Sequence, residues 1–177
     1  MKIQRLRPSR IKNRLNVVFE DGSYLPMFID DVVKNSLKIG NDVNFDDLLK
    51  LSINYQAREY ALRQIAISPK TETILRQKLR KKFRDYNSDE LITAISPYLD
   101  DKKYIDYIQR KFKNKSNREI SYRLKMAGVS YQSHQDDREK IRALRRKKKN
   151  ISISSLVQRG FAYADIKSVF DKSIDFE

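Results

Sequence analysis

The chain has 177 residues, no cysteine, one histidine and a formal net charge of +15. That length buries roughly 70 % of the unfolded surface as one medium domain or two small ones, and the missing thiols exclude a disulfide framework and a thiolate metal site and suit a reducing cytoplasm. No apolar run is long enough for a signal peptide or a membrane span, so no membrane partner is expected, whereas the charge excess points to a polyanion.

Met1 to Ile29 is the only part that reads as strand. Leu15, Val17 and Phe19 alternate with polar or smaller residues, Asp21-Gly22 offers the positive φ angles of a tight hairpin turn, and Tyr24 to Ile29 returns. Counting back from that turn pairs Phe19 with Tyr24 and Leu15 with Phe28. Pro26 cannot donate to a ladder, so the returning strand belongs at an edge. Lys2, Arg5, Arg7, Arg10, Lys12 and Arg14 precede the hairpin with no acid among them, as either a solvated arm or an arm that touches phosphate.

Helical signals follow. Asp30 or Asp31 caps a short helix through Leu37, stopped at Gly40. Asn44 caps a long one reaching Ile67, with Asp46 and Asp47 placed favourably against its dipole and Leu51, Tyr55, Leu62 and Ile65 on one stripe. Ala57 and Ala61 permit close approach, and Pro69 marks a restart. Thr71 leads into Leu75 and Leu79, ending near Phe83, and Asn87 or Ser88 caps a helix with Leu91, Ile92, Ile95 and Leu99 inward and Pro97 near its end.

The best-defined stretch is Leu99 to Val129, two short helices and a hinge. Asp100 or Asp101 caps the first, in which Tyr104, Ile105, Ile108 and Phe112 share a face. Ser116 starts the second with Glu119 three residues on, the spacing of a reciprocal capping box. Ile120, Leu124 and Ala127 carry its stripe to Gly128, where a residue without Cβ takes a left-handed stop cheaply and Val129 packs back on Leu124.

An internal repeat emerges. Thr71, Leu75, Leu79 and Phe83 stand in the same register as Ser116, Ile120, Leu124 and Gly128. A weaker third copy ends at Leu156, Gly160 and Phe161, followed by Ile166, Val169 and Phe170 on another short helix, and a polar segment, Ser130 to Lys149, crosses the approach to it. Helical units that cannot bury their apolar faces alone mark a small repeat array.

These residues resemble the RecX family, small bacterial regulators of the RecA recombinase. The pattern stands as Thr71-x-x-Ile74-Leu75-x-x-Lys78-Leu79 and as Ser116-x-x-Glu119-Ile120-x-x-Arg123-Leu124-x-x-x-Gly128. Leu99-Asp100-Asp101 with Tyr104 and Arg159-Gly160-Phe161 match two further family motifs, and the N-terminal strands followed by Ile39-Gly40 resemble the extended members. Each motif is short, so the specificity lies in their order from Leu15 to Phe170. Phe83 stands where the family has glycine, and the region after Gly128 is shortened. The resemblance implies a non-enzyme, without cofactor, that binds the RecA filament on single-stranded DNA and inhibits strand exchange, ATP hydrolysis and coprotease activity.

The expected architecture is mostly α: three tandem three-helix repeats, elongated, with a small N-terminal β-hairpin region. Residues 1–43 hold the hairpin and a short helix, 44–98 the first repeat, 99–134 the second and 135–177 a degenerate third.

The residues carry little catalytic chemistry. His134, the lone histidine, lies in a polar segment and reads as a surface residue, with no partner for a triad or a metal site. Asp30-Asp31, Asp46-Asp47 and Asp100-Asp101 fall at helix starts, and neither they nor Asp136-Asp137 have calcium-loop spacing. The four glycines are too scattered for a phosphate loop. The aromatics read first as core, with base stacking a minor role for exposed tyrosines such as Tyr122 and Tyr131.

The basic clusters exceed what helix dipoles explain. Arg80, Lys81, Lys82 and Arg84 end one helix, Arg110, Lys111, Lys113 and Lys115 another, and Arg142, Arg145, Arg146, Lys147, Lys148 and Lys149 a third, with Arg118, Arg123 and Lys125 on the helix after Ser116. A dipole accounts for one or two cations per helix. Stacked repeats would align these ends into a basic ridge that tracks phosphates or an acidic groove, in a protein expected to be a cytoplasmic monomer with weak direct affinity for nucleic acid. The rival reading is a direct nucleic-acid binder in which the Ser116 helix enters a major groove, although Arg118, Tyr122, Arg123 and Lys125 lack the Asn/Gln set that reads adenine.

Overall fold

The computed structural model describes residues 1–84, 86–131 and 136–171. The protein is mostly helical, with a small antiparallel sheet at its N-terminus, and divides into two compact units: Met1–Ile67 with Leu75–Ser96, and Ser68–Ile74 with the chain from Pro97 onward.

In the first unit the sheet runs in the order β1 (Ile3–Pro8), β2 (Arg14–Phe19), β3 (Tyr24–Phe28), all antiparallel. The expected basic arm is therefore a strand. A bulge between Ile3 and Arg5 puts Ile3 and Leu6, three residues apart, on the core side, so the period-2 pattern that announces a strand is broken in sequence. Arg5 and Arg7 remain exposed.

The hairpin register also differs from the expected one. Tyr24 pairs with Val18, and Met27 with Leu15. Phe19 N–H donates to the Ser23 carbonyl at 2.9 Å and Gly22 N–H to the Phe19 carbonyl at 3.0 Å, so the loop is Glu20-Asp21-Gly22 and only Gly22 has positive φ, at 81°. One extra loop residue moves the register by one and turns the other face of β3 inward. Leu25 and Met27 are buried and Tyr24 is 62 % exposed. β3 is an edge strand, as Pro26 requires.

Helix α1 (Ile29–Lys34) has Phe28 at its N-cap with no side-chain cap bond; Asp30 and Asp31 lie inside its first turn. It stops at Ser36, with φ of 50°, rather than at Gly40, whose N–H is tied to the Ile3 carbonyl. In α2 (Phe45–Ile67) the Asn44 side chain accepts from Asp46 N–H at 3.0 Å. Its buried face is Leu48, Ser52, Tyr55, Ala57 and Ala61; of the expected stripe Tyr55 is buried, Leu51 and Ile65 are half-buried and Leu62 is exposed. Ser52 is inward because its hydroxyl donates to the Pro26 carbonyl of the edge strand at 3.0 Å.

Helix α3 (Glu72–Lys82) buries Leu75 and Leu79, and α4 (Asp89–Ile95) buries Leu91, Ile92 and Ile95. The Asn87 side chain accepts from Asp89 N–H, while Ser88 makes no side-chain cap bond. A single 3-10 turn, Ser96–Tyr98, follows at Pro97.

The second unit holds α5 (Asp101–Lys111), α6 (Asn117–Met126), α7 (Asp137–Lys147), α8 (Ile153–Val157) and α9 (Tyr163–Asp171). The polar segment before the third copy contains α7, the helix expected to end in the third basic cluster, and Ile141 and Leu144 of that helix are buried. One core joins Tyr104, Ile108, Ile120, Leu124, Ala127 and Val129, and another joins Ile141, Leu144, Ile151, Leu156, Phe161, Ile166 and Val169. Each fully buried large aliphatic side chain here contributes about 1.5–3 kcal/mol.

Asp100 caps α5 by accepting from Lys103 N–H at 3.0 Å, and Ser116 caps α6 by accepting from Glu119 N–H at 3.1 Å. The reciprocal half of the expected capping box is not made. Ser116 N–H donates to the Arg159 carbonyl at 3.1 Å, and the Glu119 carboxylate takes Arg123 instead. Gly128 ends α6 with φ of 79°, and Val129 N–H returns to the Leu124 carbonyl at 3.0 Å. Gly160 ends α8 in the same way with φ of 85°, and Phe161 N–H returns to Leu156.

Candidate nucleic-acid interface

In the first unit, Arg80, Lys81 and Lys82 form the last turn of α3 and Arg84 follows; all four are exposed. The Lys82 ammonium sits 4.5 Å from the Tyr60 ring centroid, a cation–π contact on the rim of a small cleft that Arg63 also lines. Arg14, counted in sequence with the basic arm, is instead bonded to Tyr55 and Glu59 of α2.

The other thirteen expected cations lie in the second unit. Eleven are exposed: Arg110 and Lys111 at the end of α5, Lys113 beyond it, Arg118, Arg123 and Lys125 on α6, and Arg142, Arg146, Lys147, Lys148 and Lys149 at and after the end of α7. Lys111 bonds the Tyr107 hydroxyl at 3.0 Å and pulls it below the usual phenol range. Tyr122 shares the exposed side of α6 and is 60 % exposed.

Three, the exposed Arg123 among them, are tied to the fold. Arg123 makes two hydrogen bonds to Glu119 and stacks 4.2 Å from the Phe112 centroid. Arg145 donates to the Val169 carbonyl at 3.0 Å and lies 4.1 Å from the Phe170 centroid, joining α7 to α9. Lys115 reaches the Gln158 carbonyl at 3.3 Å, closing the end of α8.

A groove of about 360 Å³ lies among α5, α6 and α7, lined by Gln109, Arg110, Lys113, Asn117, Ile120, Tyr131 and Lys140. It brings Arg110 and Lys113 together with a cation that the sequence reading missed. The Lys140 ammonium is 2.5 Å from the Asn117 side-chain oxygen and 3.9 Å from Asp137. Asp137 accepts from Asn117 N–H with both oxygens, at 2.9 and 3.2 Å, so it caps α6 from another helix. Burial is the largest influence on both partners: it raises the pKa of Asp137 and lowers that of Lys140, each toward its neutral form. Gln109 donates to the Tyr131 hydroxyl on the groove wall.

Lys140 had a sequence signal. Asp137, Lys140, Ile141 and Leu144 recur at 3,1,3 spacing, which places a lysine on the inward stripe.

Among the described residues, no group of three or more His, Cys, Asp or Glu side chains is placed to hold a metal ion, and no helix is long and apolar enough to cross a membrane. His134 lies outside the described residues.

No protein-family model and no curated protein matches the chain. Among solved structures, its fold is similar to the crystal structure of regulatory protein RecX, with a TM-score of 0.54 at 18 % sequence identity, over 96 % of this chain and 98 % of that one.

Proposed function

We propose that this chain regulates a RecA-type recombinase by binding its filament on single-stranded DNA and inhibiting strand exchange, ATP hydrolysis and coprotease activity. The observation that carries this reading is the fold likeness to a RecX regulatory protein over nearly the whole of both chains. The ordered motifs from Thr71 to Phe161 support it from the sequence side. The protein acts as a cytoplasmic monomer and without catalysis of its own: it needs no cofactor, and its exposed cations supply the contacts to a polyanionic filament. Three tandem helical repeats carrying one basic ridge are the arrangement this role would use.

The test is strand exchange by the cognate recombinase with and without the protein, across a salt series. Inhibition that weakens as salt rises is expected. A folded protein that leaves strand exchange untouched at saturation removes the proposal. Salt-dependent DNA binding without any effect on the recombinase would replace it with a direct nucleic-acid binder working through the exposed side of α6.

A further inference from the structure

We propose that the groove among α5, α6 and α7 is a single-strand nucleotide subsite, in which Arg110, Lys113 and Lys140 hold a phosphodiester and Tyr131 offers a stacking face to its base. The inference goes beyond filament regulation, because the subsite binds a free strand with no recombinase present.

Four observations carry it. The first is convergence: the three cations come from the end of α5, the segment after it and α7, yet line one concavity. The other exposed clusters follow single helix ends. A concave wall of one sign focuses field far better than a convex one.

The second is charge balance. Arg110, Lys113 and Lys140 bring three positive charges and Asp137, beside Lys140, one negative charge, a net of two. Among the described residues neither Arg110 nor Lys113 is in an ion pair; Arg110 bonds only the Asp106 carbonyl, at 3.2 Å. Both guanidinium and ammonium are therefore open to an anion.

The third is the buried lysine. Burial works against the ammonium of Lys140, and one carboxylate 3.9 Å away offsets that only in part. An anion in the groove would offset the rest.

The fourth is size and lining. About 360 Å³ falls in the range of small-ligand sites. A lone carboxylate needs one arginine fork, which would leave most of this space empty. A nucleotide uses more of it: phosphate against the three cations, base against Tyr131 and Ile120. The Tyr131 oxygen already accepts from Gln109, which leaves its O–H proton as a donor.

The experiment is fluorescence anisotropy of a labelled oligothymidine of about 16 nucleotides, long enough to cover such a site, with the full chain and no recombinase. Two double variants are compared, each removing two charges. Arg110→Gln/Lys113→Gln strips the groove, and Lys102→Gln/Lys167→Gln strips exposed positions elsewhere in the same unit. The groove pair should weaken binding about tenfold or more and shallow the log–log salt slope by about 1.4, two phosphate contacts at 0.7 each. The other pair should change affinity by less than about threefold. Circular dichroism establishes that both are folded.

Equal losses from the two pairs, or no binding by the wild type, overturn the subsite. So does competition by polyglutamate as effective as that by unlabelled oligothymidine, which would make the groove a seat for acidic protein side chains. Strand-exchange inhibition, measured on the same variants, separates the two proposals: inhibition without groove-dependent oligonucleotide binding sinks the subsite alone, and groove-dependent binding without inhibition sinks the regulator alone.

Discussion

The Thr71 hydroxyl donates a 2.7 Å hydrogen bond to the carbonyl of Ala127, the residue before the left-handed Gly128. The same arrangement recurs one step along the chain, where Ser116 N–H donates to the carbonyl of Arg159, the residue before the left-handed Gly160. In both, the C-terminal stop of a later helix sits on the N-cap of an earlier one. A Cβ on Gly128 would overlap the Thr73 hydroxyl, and one on Gly160 would lie 2.8 Å from the Ser116 hydroxyl. Glycine is required twice over, by backbone sign and by close approach.

Gly128→Ala should therefore cost more than Gly22→Ala, although both glycines have positive φ. Both lose about 1–2 kcal/mol from the left-handed backbone. Only Gly128 adds overlap, because nothing lies within 4 Å of a Cβ at Gly22. Forcing extra atoms into a packed site costs about 1–3 kcal/mol more. Urea denaturation of the two variants gives the comparison, and equal costs would mean that the Thr73 contact yields freely.

Ser116→Ala and Glu119→Ala should separate sharply, whereas a full capping box would link them. Ser116 is fully buried and its hydroxyl holds Glu119 N–H, so its loss should cost about 1–2 kcal/mol. Glu119 contributes only a partly exposed pair with Arg123, worth about 0.3–0.5 kcal/mol. Thermal denaturation with similar losses for both would restore the reciprocal cap.

Two aspartates should respond to pH with opposite signs. Burial raises the pKa of Asp137 above the 3.8 of an unfolded carboxyl, so its protonated form favours folding. That stability is present below pH 3.8 and is lost as pH rises through the folded value. Asp137→Asn should match the wild type in acid and become the more stable of the two toward neutrality. Asp100 runs the other way, since the Lys103 N–H bond lowers its pKa. Its advantage over Asp100→Asn is present above pH 3.8 and fades as pH falls through the folded value. Chemical denaturation across an acid-to-neutral series reads both, and an Asp137→Asn protein less stable than wild type at neutral pH would mean that Lys140 attraction outweighs burial.

Charge reversal should discriminate between surfaces in filament inhibition. Lys111→Glu/Lys113→Glu changes two exposed cations of the second unit, and Arg5→Glu/Arg7→Glu two exposed cations on β1. The first pair should raise the half-inhibitory concentration about tenfold or more, and the second should raise it less. Equal effects would mean that total charge, and not position, matters.

How much could be read in the chain depended on distance along it. Asn44, Asp100, Ser116 and Gly128 were legible because a cap or a left-handed stop is closed by groups within five residues of itself. The Leu/Ile stripes of α3, α5 and α6 were legible because amphipathic periodicity is equally local. The second half of the capping box was not, because Ser116 N–H finds a better acceptor at Arg159.

By itself, then, the sequence determined a basic, mostly helical chain, most of its helix ends and the exposed cations at the end of α3 and of α7. Tertiary structure alone decided that Ile3 to Pro8 forms an edge strand across a bulge, that the hairpin register shifts by one, and that Ser52 faces inward to a strand carbonyl. It also decided which cations stay open: Lys115, Arg123 and Arg145 are bound to neighbouring groups, while Arg110 and Lys113 meet Lys140 across a groove. The reason is physical. A residue's propensity and its neighbours three or four positions away are written in the chain, but the partner that satisfies a buried hydroxyl, amide or ammonium is whichever polar group packing brings within 3 Å or so.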